Sequence, residues 1–383
     1  MYNYINKIDK NIYQNVYTQQ LNEVECVVYA KDFFNFRKSL IRQKKAYEEF
    51  PFISAFGLKL KINEVINLAK CKIVSYIAKN TKVSSLAFVS SKVLKTEAFY
   101  TNKMYGKGCT VAIIDTGIFP HLDFVVPVNR IIKFVDLING KEMPYDDNGH
   151  GTMVSSLACG NGVVHAGKYA GVSMRSNIIA IKAIEGSGET VSTKILQAMQ
   201  WIYNNKSKYN IGVVCMSFGS NPSSNFDPLA MGAESLWRAG IVVVSAAGNS
   251  GPAPNTIKSP GINNRILTVG GLNDNREGDL FDEKLFCVAD FSSRGPAGNF
   301  SKPDIIAPAV NIVGASHKGG YTIMSGTSVA TPLVAGIAAL IKGSYPNITP
   351  DQVKVRLVKC CNQITKDKNS EGFGLIDCRK LFV

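Results

Sequence analysis

Near its C-terminal end the chain contains Ser325-Gly326-Thr327-Ser328-Val329-Ala330-Thr331-Pro332, a tight small-residue turn that leads into an apolar run. The run, residues 333–341, predicts a buried helix. A hydroxyl at such a junction lies beside the free N–H groups and the positive end of the helix. Pro332 suits the first turn of a helix, where a missing N–H has no cost. Two interpretations stay open here: Ser328 is a nucleophile, or the small residues only allow close helix packing.

Two other stretches end core elements with polar side chains. Residues 111–117 form a continuous apolar strand pattern that ends in Asp115 and a glycine turn. In Asn148-Gly149-His150-Gly151-Thr152 a histidine stands between glycines, directly before a predicted helix at 153–159. Each residue alone has a plain structural explanation, as a capping aspartate, a core histidine or a helix-start serine. Together, Asp, His and Ser are the parts of an acyl-transfer triad.

The three motifs, in the chain order Asp, His, Ser, closely resemble those of the subtilisin-like serine proteases, the subtilases. The resemblance covers roughly residues 95–383. It implies that Ser328 attacks the peptide carbonyl, that His150 takes the hydroxyl proton, and that Asp115 orients the imidazole. It also implies that the Asn249 amide and the backbone N–H of Ser328 stabilise the oxyanion. Without the resemblance, Asn249 would equally suit a turn.

The resemblance extends to substrate binding. Ser217-Phe218-Gly219 and Glu185-Gly186-Ser187-Gly188 are similar to the two walls of the family's substrate cleft. Glycines such as Gly186, Gly188 and Gly219 let an extended peptide pair with the main chain. We therefore expect Ser217, Phe218 and the three glycines to bind substrate.

Lys258 stands in a segment similar to the back of the pocket for the residue before the cut. Family members often carry a small residue there. An inward Lys258 would narrow the pocket and disfavour basic side chains, because an unpaired like charge is costly in a poorly solvated site. The alternative is that the flexible stem carries the ammonium out to water.

His121-Leu122-Asp123 resembles the family segment in which the aspartate ligates calcium. Calcium takes about six to eight oxygen ligands, and the sequence suggests only Asp123. An ordinary loop aspartate explains the residue as well. The chemistry itself requires no cofactor, so any calcium is expected to be structural.

From residue 107 onward, apolar strands alternate with helices. Strands are predicted at 110–114, 177–183, 212–216, 241–246 and 265–269, and helices at 191–204 and 230–239. This alternation predicts an α/β fold with a mostly parallel sheet and helices on both faces. The site should then lie at the carboxyl ends of the strands.

The chain before this region suggests a separate unit. Residues 1–20 are predicted to be a leader, 21–90 a small α+β domain, and 91–383 the catalytic domain. Helices are expected at 32–47 and 63–70, and a last strand at 83–89. In position, size and element order the small domain resembles the subtilase propeptide, which implies an intramolecular inhibitor that the enzyme removes by cutting within 80–91. A permanent docking domain is the alternative.

Composition excludes several classes of protein. Of 383 residues, 45% are hydrophobic, and no apolar run approaches the roughly 18 residues needed to span a bilayer. Nine cysteines without a metal-binding spacing, and no signal-peptide pattern, predict a cytoplasmic protein. The alternative is export by a non-standard route. The net charge of +14 lacks a basic run interleaved with aromatics, so nucleic-acid binding is not expected.

Two other functions compete with that of a protease. A non-catalytic pseudoprotease would usually have lost a member of the set formed by Asp115, His150, Ser328 and Asn249. An esterase of another fold would carry its serine in a Gly-x-Ser-x-Gly elbow, and Ala330 replaces the second glycine. The sequence therefore predicts a serine endopeptidase that hydrolyses peptide and protein substrates through an acyl-enzyme.

Overall fold

The computed structural model describes residues 4–9, 12, 23–79, 89–223, 226–276 and 282–382. The chain divides into two compact units, Met1–Val83 and Ser84–Val383. Each unit has its own hydrophobic core.

The first unit is a four-stranded antiparallel sheet with two helices. Its elements, in chain order, are β1 (Glu23–Ala30), α1 (Phe33–Arg42), β2 (Tyr47–Phe50), β3 (Ala55–Lys61), α2 (Ile62–Lys70) and β4 (Val74–Lys79). The strand order in the sheet is β2-β3-β1-β4. Each helix buries an apolar stripe, with Phe36 and Leu40 in α1 and Val65 and Ala69 in α2. The unit is therefore an α+β domain.

The helix predicted at 32–47 is shorter than expected. Asp32 caps its start by accepting a hydrogen bond from the Asn35 N–H at 3.1 Å. After Arg42 the chain reverses through Lys44, whose φ of 50° lies in the left-handed region, and continues as β2. The strand predicted at 83–89 lies almost wholly outside the described residues, and Val89 begins a helix.

Part of the predicted leader is packed against the small sheet. Ile8 forms a backbone bridge to Ile77, and both Ile8 and Ile12 belong to the core of the first unit. The Lys7 ammonium donates to the carbonyl oxygens of Cys71 and Val74 at 3.1 and 2.8 Å.

The second unit is built on a ten-stranded sheet. Its strands are β5 (Thr110–Asp115), β6 (Ile131–Asp136), β7 (Asn177–Lys182), β8 (Ile211–Met216), β9 (Val242–Ala246), β10 (Leu267–Asn273), β11 (Cys287–Val288), β12 (Ile305–Pro308), β15 (Cys361–Asn362) and β16 (Leu375–Ile376). Their order in the sheet is β15-β16-β12-β10-β9-β8-β5-β7-β6, with β11 paired to β10. Only β11 and β15 pair antiparallel, so the predicted mostly parallel α/β fold is confirmed.

Helices and one hairpin complete this unit. The helices are α3 (Val89–Leu94), α4 (Glu97–Thr101), α5 (Leu122–Val125), α6 (His150–Cys159), α7 (Ser192–Asn205), α8 (Pro228–Arg238), α9 (Thr327–Ser344), α10 (Pro350–Lys359) and α11 (Lys368–Glu371). The hairpin consists of β13 (Ile312–Ala315) and β14 (Tyr321–Met324), and it leads directly into α9.

Helix α9 is the central core helix. By length and composition it could cross a bilayer, yet 78% of it is buried inside the protein, as expected for the core helix of a globular domain. Pro332 lies in its second turn and not, as the sequence suggested, in the first. Since Pro332 has no N–H, it cannot bond the carbonyl of Ser328 four residues earlier.

Strands β9, β8, β5 and β7 are neighbours, and each is followed by a predicted site segment. Asp115 ends β5, and 185–188, 217–219 and Asn249 follow β7, β8 and β9. Because these strands are parallel, the four segments reach the same edge of the sheet.

All nine cysteines are free thiols. Burial raises the pKa of both Cys109 and Cys159 to about 12, so these thiols remain protonated near neutral pH.

Candidate active site

Asp115 and His150 form a direct pair at the carboxyl edge of the sheet. Asp115 is only 1% exposed, and its Oδ1 lies 2.7 Å from His150 Nδ1. The same oxygen accepts a hydrogen bond from the Thr116 N–H at 2.8 Å. This contact places the proton of the neutral imidazole on Nδ1 and leaves Nε2 free to accept a proton.

Two opposing effects set the pKa of His150. Burial lowers it, while the charge and hydrogen bond of Asp115, with a smaller contribution from Asp146, raise it. The net effect is a raised pKa, because the carboxylates stabilise the imidazolium more than burial destabilises it. The side chain remains 25% exposed, so a substrate can reach it.

The glycines on either side of His150 are required by close approaches. Gly149 has a φ of 104°, and a Cβ there would lie 2.2 Å from Nδ1 of His317. A Cβ on Gly151 would lie 2.2 Å from the carbonyl oxygen of Gly117. The motif therefore lets the start of α6 come close to the turn that follows Asp115.

Ser328 and Asn249 approach the same point from different elements. Ser328 is the second residue of α9, so its N–H has no carbonyl within the helix to bind. Asn249 Oδ1 accepts from both the N–H and the hydroxyl of Thr327, which leaves the amide nitrogen for another acceptor. A Cβ on Gly326 would lie 3.1 Å from Asn249 Nδ2 and 3.2 Å from Ser328 Oγ.

Helices α6 and α9, which carry His150 and Ser328, pack against each other. In the part of the chain that the structure describes, no hydrogen bond joins the two side chains. Bonds of this kind often tighten only when substrate binds. Chemically, such an arrangement can supply a nucleophile, a base with its orienting carboxylate, and two N–H donors for a developing oxyanion.

The two predicted cleft walls line one cavity. Gly188 from one wall, and Phe218 and Gly219 from the other, border a space of about 330 Å³. Gly186 is linked to the histidine loop, since Asn148 Nδ2 donates to its carbonyl at 3.0 Å. Ser217 is buried, and its hydroxyl lies 3.5 Å from the Cys215 Sγ.

The stem of Lys258 lies between two glycine segments. A Cβ on Gly219 would be 2.6 Å from Lys258 Cβ, and one on Gly248 would be 2.4 Å from Lys258 Cγ. The ammonium lies 2.5 Å from Asn221 Oδ1. The stem therefore narrows the space between these segments, while its charge is paired with a side-chain amide.

Asp123 is surrounded by protein donors. Its Oδ2 accepts from the Tyr321 hydroxyl at 2.6 Å, its Oδ1 from the Val164 N–H at 3.1 Å, and its carbonyl from Arg130 at 2.5 Å. Within the described ranges, no group of three His, Cys, Asp or Glu residues could hold a metal ion. These residues do not fit a calcium ion, so the calcium prediction is not supported.

Sequence reasoning missed two buried charges beside the site. Asp146 binds the start of α6 with both carboxylate oxygens. The Lys182 ammonium donates to the carbonyl of Thr116 at 2.7 Å and to Asp147 at 2.6 Å. Two features of the sequence could have indicated these charges. They are the acidic pair Asp146-Asp147 shortly before His150 and Lys182 at the end of an apolar strand.

Comparison with known proteins agrees with this geometry. Residues 106–374 match the subtilase family of peptidases. The serine protease AprX of Bacillus subtilis is 38% identical over 331 residues, which cover 80% of this chain and 73% of AprX. A thermostable alkaline protease of Halalkalibacterium halodurans is 31% identical over 81% of this chain and 78% of its own.

Solved structures show the same likeness. The S41 psychrophilic protease superimposes with a TM-score of 0.65 at 27% identity, covering 78% of this chain and 99% of its own. A cold-adapted subtilisin-like serine proteinase gives a TM-score of 0.59, also at 27% identity, over 72% of this chain and 90% of its own. With matching motifs, fold and site geometry, the chain belongs to the subtilase family and is a serine-type endopeptidase.

Proposed function

We propose that Asp115, His150 and Ser328 form the catalytic triad and that Asn249 completes the oxyanion hole. The observation that carries this proposal is the 2.7 Å contact between Asp115 Oδ1 and His150 Nδ1. This contact lies at the carboxyl edge of the sheet, close to Ser328 and Asn249.

In the proposed reaction, Ser328 Oγ attacks the scissile carbonyl while His150 Nε2 takes the hydroxyl proton. The carbonyl oxygen becomes an oxyanion that accepts hydrogen bonds from Asn249 Nδ2 and the Ser328 N–H. The imidazolium then protonates the leaving amine, and water hydrolyses the acyl-enzyme by the reverse proton transfers. Asp115 stays ionised and stabilises the imidazolium throughout.

Labelling with a fluorophosphonate probe tests this assignment. We expect the wild type to be labelled on Ser328, and Ser328→Ala, which retains the fold-determining glycine turn, to be unlabelled and inactive on casein. His150→Ala should lose most of both activities, and the losses should not add in the double variant, because the residues act as a unit. Labelled protein without casein hydrolysis would argue against an endopeptidase, and an unlabelled wild type would favour the pseudoprotease.

We also propose that the first unit is a propeptide and intramolecular inhibitor that the enzyme removes itself. Its α+β fold and its position before the protease unit support this role. A protease needs an extended segment to cut, and α3 begins at Val89, with Ser91 buried. We therefore expect the cut within 80–88, the first part of the window expected from the sequence.

N-terminal sequencing of purified wild type and Ser328→Ala tests self-processing. The wild type should show a new N-terminus within 80–88, and the serine variant should remain full length. An intact wild type that is fully active would mean that the first unit is a permanent domain.

Localisation in the cytoplasm is a further part of this proposal. It is supported by nine free cysteines, which suit a reducing compartment. Cell fractionation with an antibody against the protease unit would test it, and recovery of the protein in the culture medium would favour export by a non-standard route.

A further inference from the structure

We propose that Asp146 is a positioning residue for His150, which fixes the start of α6 against the turn that follows Asp115. The inference deepens the proposed function and rests on the roles given there to Asp115, His150 and Ser328.

Both carboxylate oxygens of Asp146 are fully used. The side chain is 7% exposed and accepts five hydrogen bonds, all of them from residues beside the triad. Oδ1 accepts from Gly149 N at 2.8 Å, Thr116 Oγ1 at 2.9 Å and Asn148 N at 3.1 Å, and Oδ2 accepts from Thr152 Oγ1 at 2.7 Å and Thr152 N at 2.9 Å.

The helix that carries His150 needs such an external cap. Its N-cap position is Gly149, which has no side chain and must be glycine because of His317. The N–H of Thr152, the third helical residue, is the group that an N-cap side chain usually binds. Asp146 takes over this role from outside the helix, and its charge also complements the positive helix end.

Thr116 connects this cap to Asp115. Its hydroxyl donates to Asp146 Oδ1 and accepts from the Gly151 N–H, in both cases at 2.9 Å. Thr116 directly follows Asp115, and Gly151 directly follows His150. The bridge Asp146–Thr116–Gly151 therefore holds the backbones of both partners and sets the separation of the carboxylate from the imidazole.

The charge of Asp146 acts on His150 as well. Burial raises the pKa of Asp146, but hydrogen bonds from Thr152, Gly149 and Thr116 outweigh it, and the net pKa is lowered. Asp146 is therefore ionised at neutral pH, and its negative charge adds to that of Asp115 in raising the pKa of His150.

The other titratable groups at this junction are Asp147, paired with Lys182 at 2.6 Å, and His317, which packs on Gly149. The charges that raise the pKa of His150 are those of Asp115 and Asp146.

The test measures the rate of fluorophosphonate labelling of Ser328 against pH in the full chain as expressed. In Asp146→Asn we expect the plateau rate to fall by about 10- to 100-fold, as for a small misplacement of a catalytic group. The midpoint of the acid limb should also move down, because a charge that stabilises the imidazolium is removed. On a peptide substrate, KM should stay within about twofold, because Asp146 is not proposed to touch substrate.

Asp136→Asn is the matched control. It removes one hydrogen-bonded carboxylate at the end of β6, which is separated from β5 by β7, and Asp136 is not among the charges that raise the pKa of His150. It should label at the wild-type rate with the wild-type midpoint.

Thr116→Val separates position from charge, because it breaks the bridge and keeps both carboxylates. We expect labelling about tenfold slower with an unchanged midpoint, and recovery in Thr116→Ser, which restores the hydroxyl. If Asp146→Asn does not fold, the two Thr116 variants carry the test. Labelling of Asp146→Asn or Thr116→Val at the wild-type plateau rate would overturn the inference while the proposed function stands. An unlabelled wild type would overturn both.

Discussion

Thr327 binds the side-chain oxygen of Asn249 twice, through its N–H at 2.9 Å and its hydroxyl at 3.0 Å. The Thr327 hydroxyl also accepts a hydrogen bond from the Gly248 N–H at 3.2 Å. The hydroxyl that holds the Asn249 amide is therefore itself held in place. Since the oxygen is occupied by donors, Nδ2 is the group left for an oxyanion. In the proposed oxyanion hole this donor is in place before any substrate arrives, and preorganisation of this kind makes such a site effective.

Asn249→Ala should therefore lower kcat by about 100- to 1,000-fold with little change in KM, the usual loss for one oxyanion donor. Thr327→Val should give a smaller loss, because the N–H contact remains, and Thr327→Ser should be close to wild type. Steady-state kinetics on a chromogenic peptide would measure all three. A normal kcat in Asn249→Ala would remove the residue from the mechanism.

The pH dependence of kcat/KM follows from the raised pKa of His150. The base must be neutral, so activity is lost as the pH falls through that pKa. Because the carboxylates raise it, the acid limb should have its midpoint above the ordinary value of 6.5. In Asp115→Asn the midpoint should move down, and the plateau should fall by about 10⁴-fold, since the imidazole also loses its orientation. A midpoint unmoved by this substitution would contradict the assignment of the limb to His150.

Lys258 should restrict the side chain accepted before the cut. The stem fills space between the segments of Gly219 and Gly248, so small side chains should be preferred and basic ones rejected. Lys258→Gly should broaden the preference towards large side chains, and Lys258→Met, of similar length without charge, should restore only the acceptance of basic ones. Cleavage profiling on one peptide library would measure this. Identical profiles for wild type and the glycine variant would rule out a role for Lys258.

The contacts of Asp123 predict that this residue binds no calcium. Because its oxygens bind Tyr321 and Val164, excess EDTA should not lower the melting temperature through this site. Tyr321→Phe should lower the free energy of unfolding by about 1–3 kcal/mol, because it leaves a buried carboxylate oxygen without that donor. Calorimetry with and without calcium would measure both. A melting temperature that calcium raises and EDTA lowers would show a cation site.

The sequence was sufficient for elements whose signals are local. Strand β5 has an apolar centre and ends in Asp115, and its parallel neighbours β7 and β8 also have apolar, buried centres. It failed at β2 and β6, where the exposed and buried positions do not alternate cleanly. It also failed at Asp146, because one of its donors, Thr116, is thirty residues away along the chain and becomes a neighbour only when β5 is placed.

The contact between His317 and Gly149 affects the spacing of His150 and Ser328, the proposed base and nucleophile. His317 lies at the tip of the β13–β14 hairpin, and that hairpin leads directly into the helix of Ser328. The tip contacts Gly149, the residue beside His150, while the far end of the same hairpin continues into the helix that carries the Ser328 hydroxyl. The β13–β14 hairpin therefore helps to set the distance between His150 and Ser328. This contribution does not depend on the length of any strand in the main sheet.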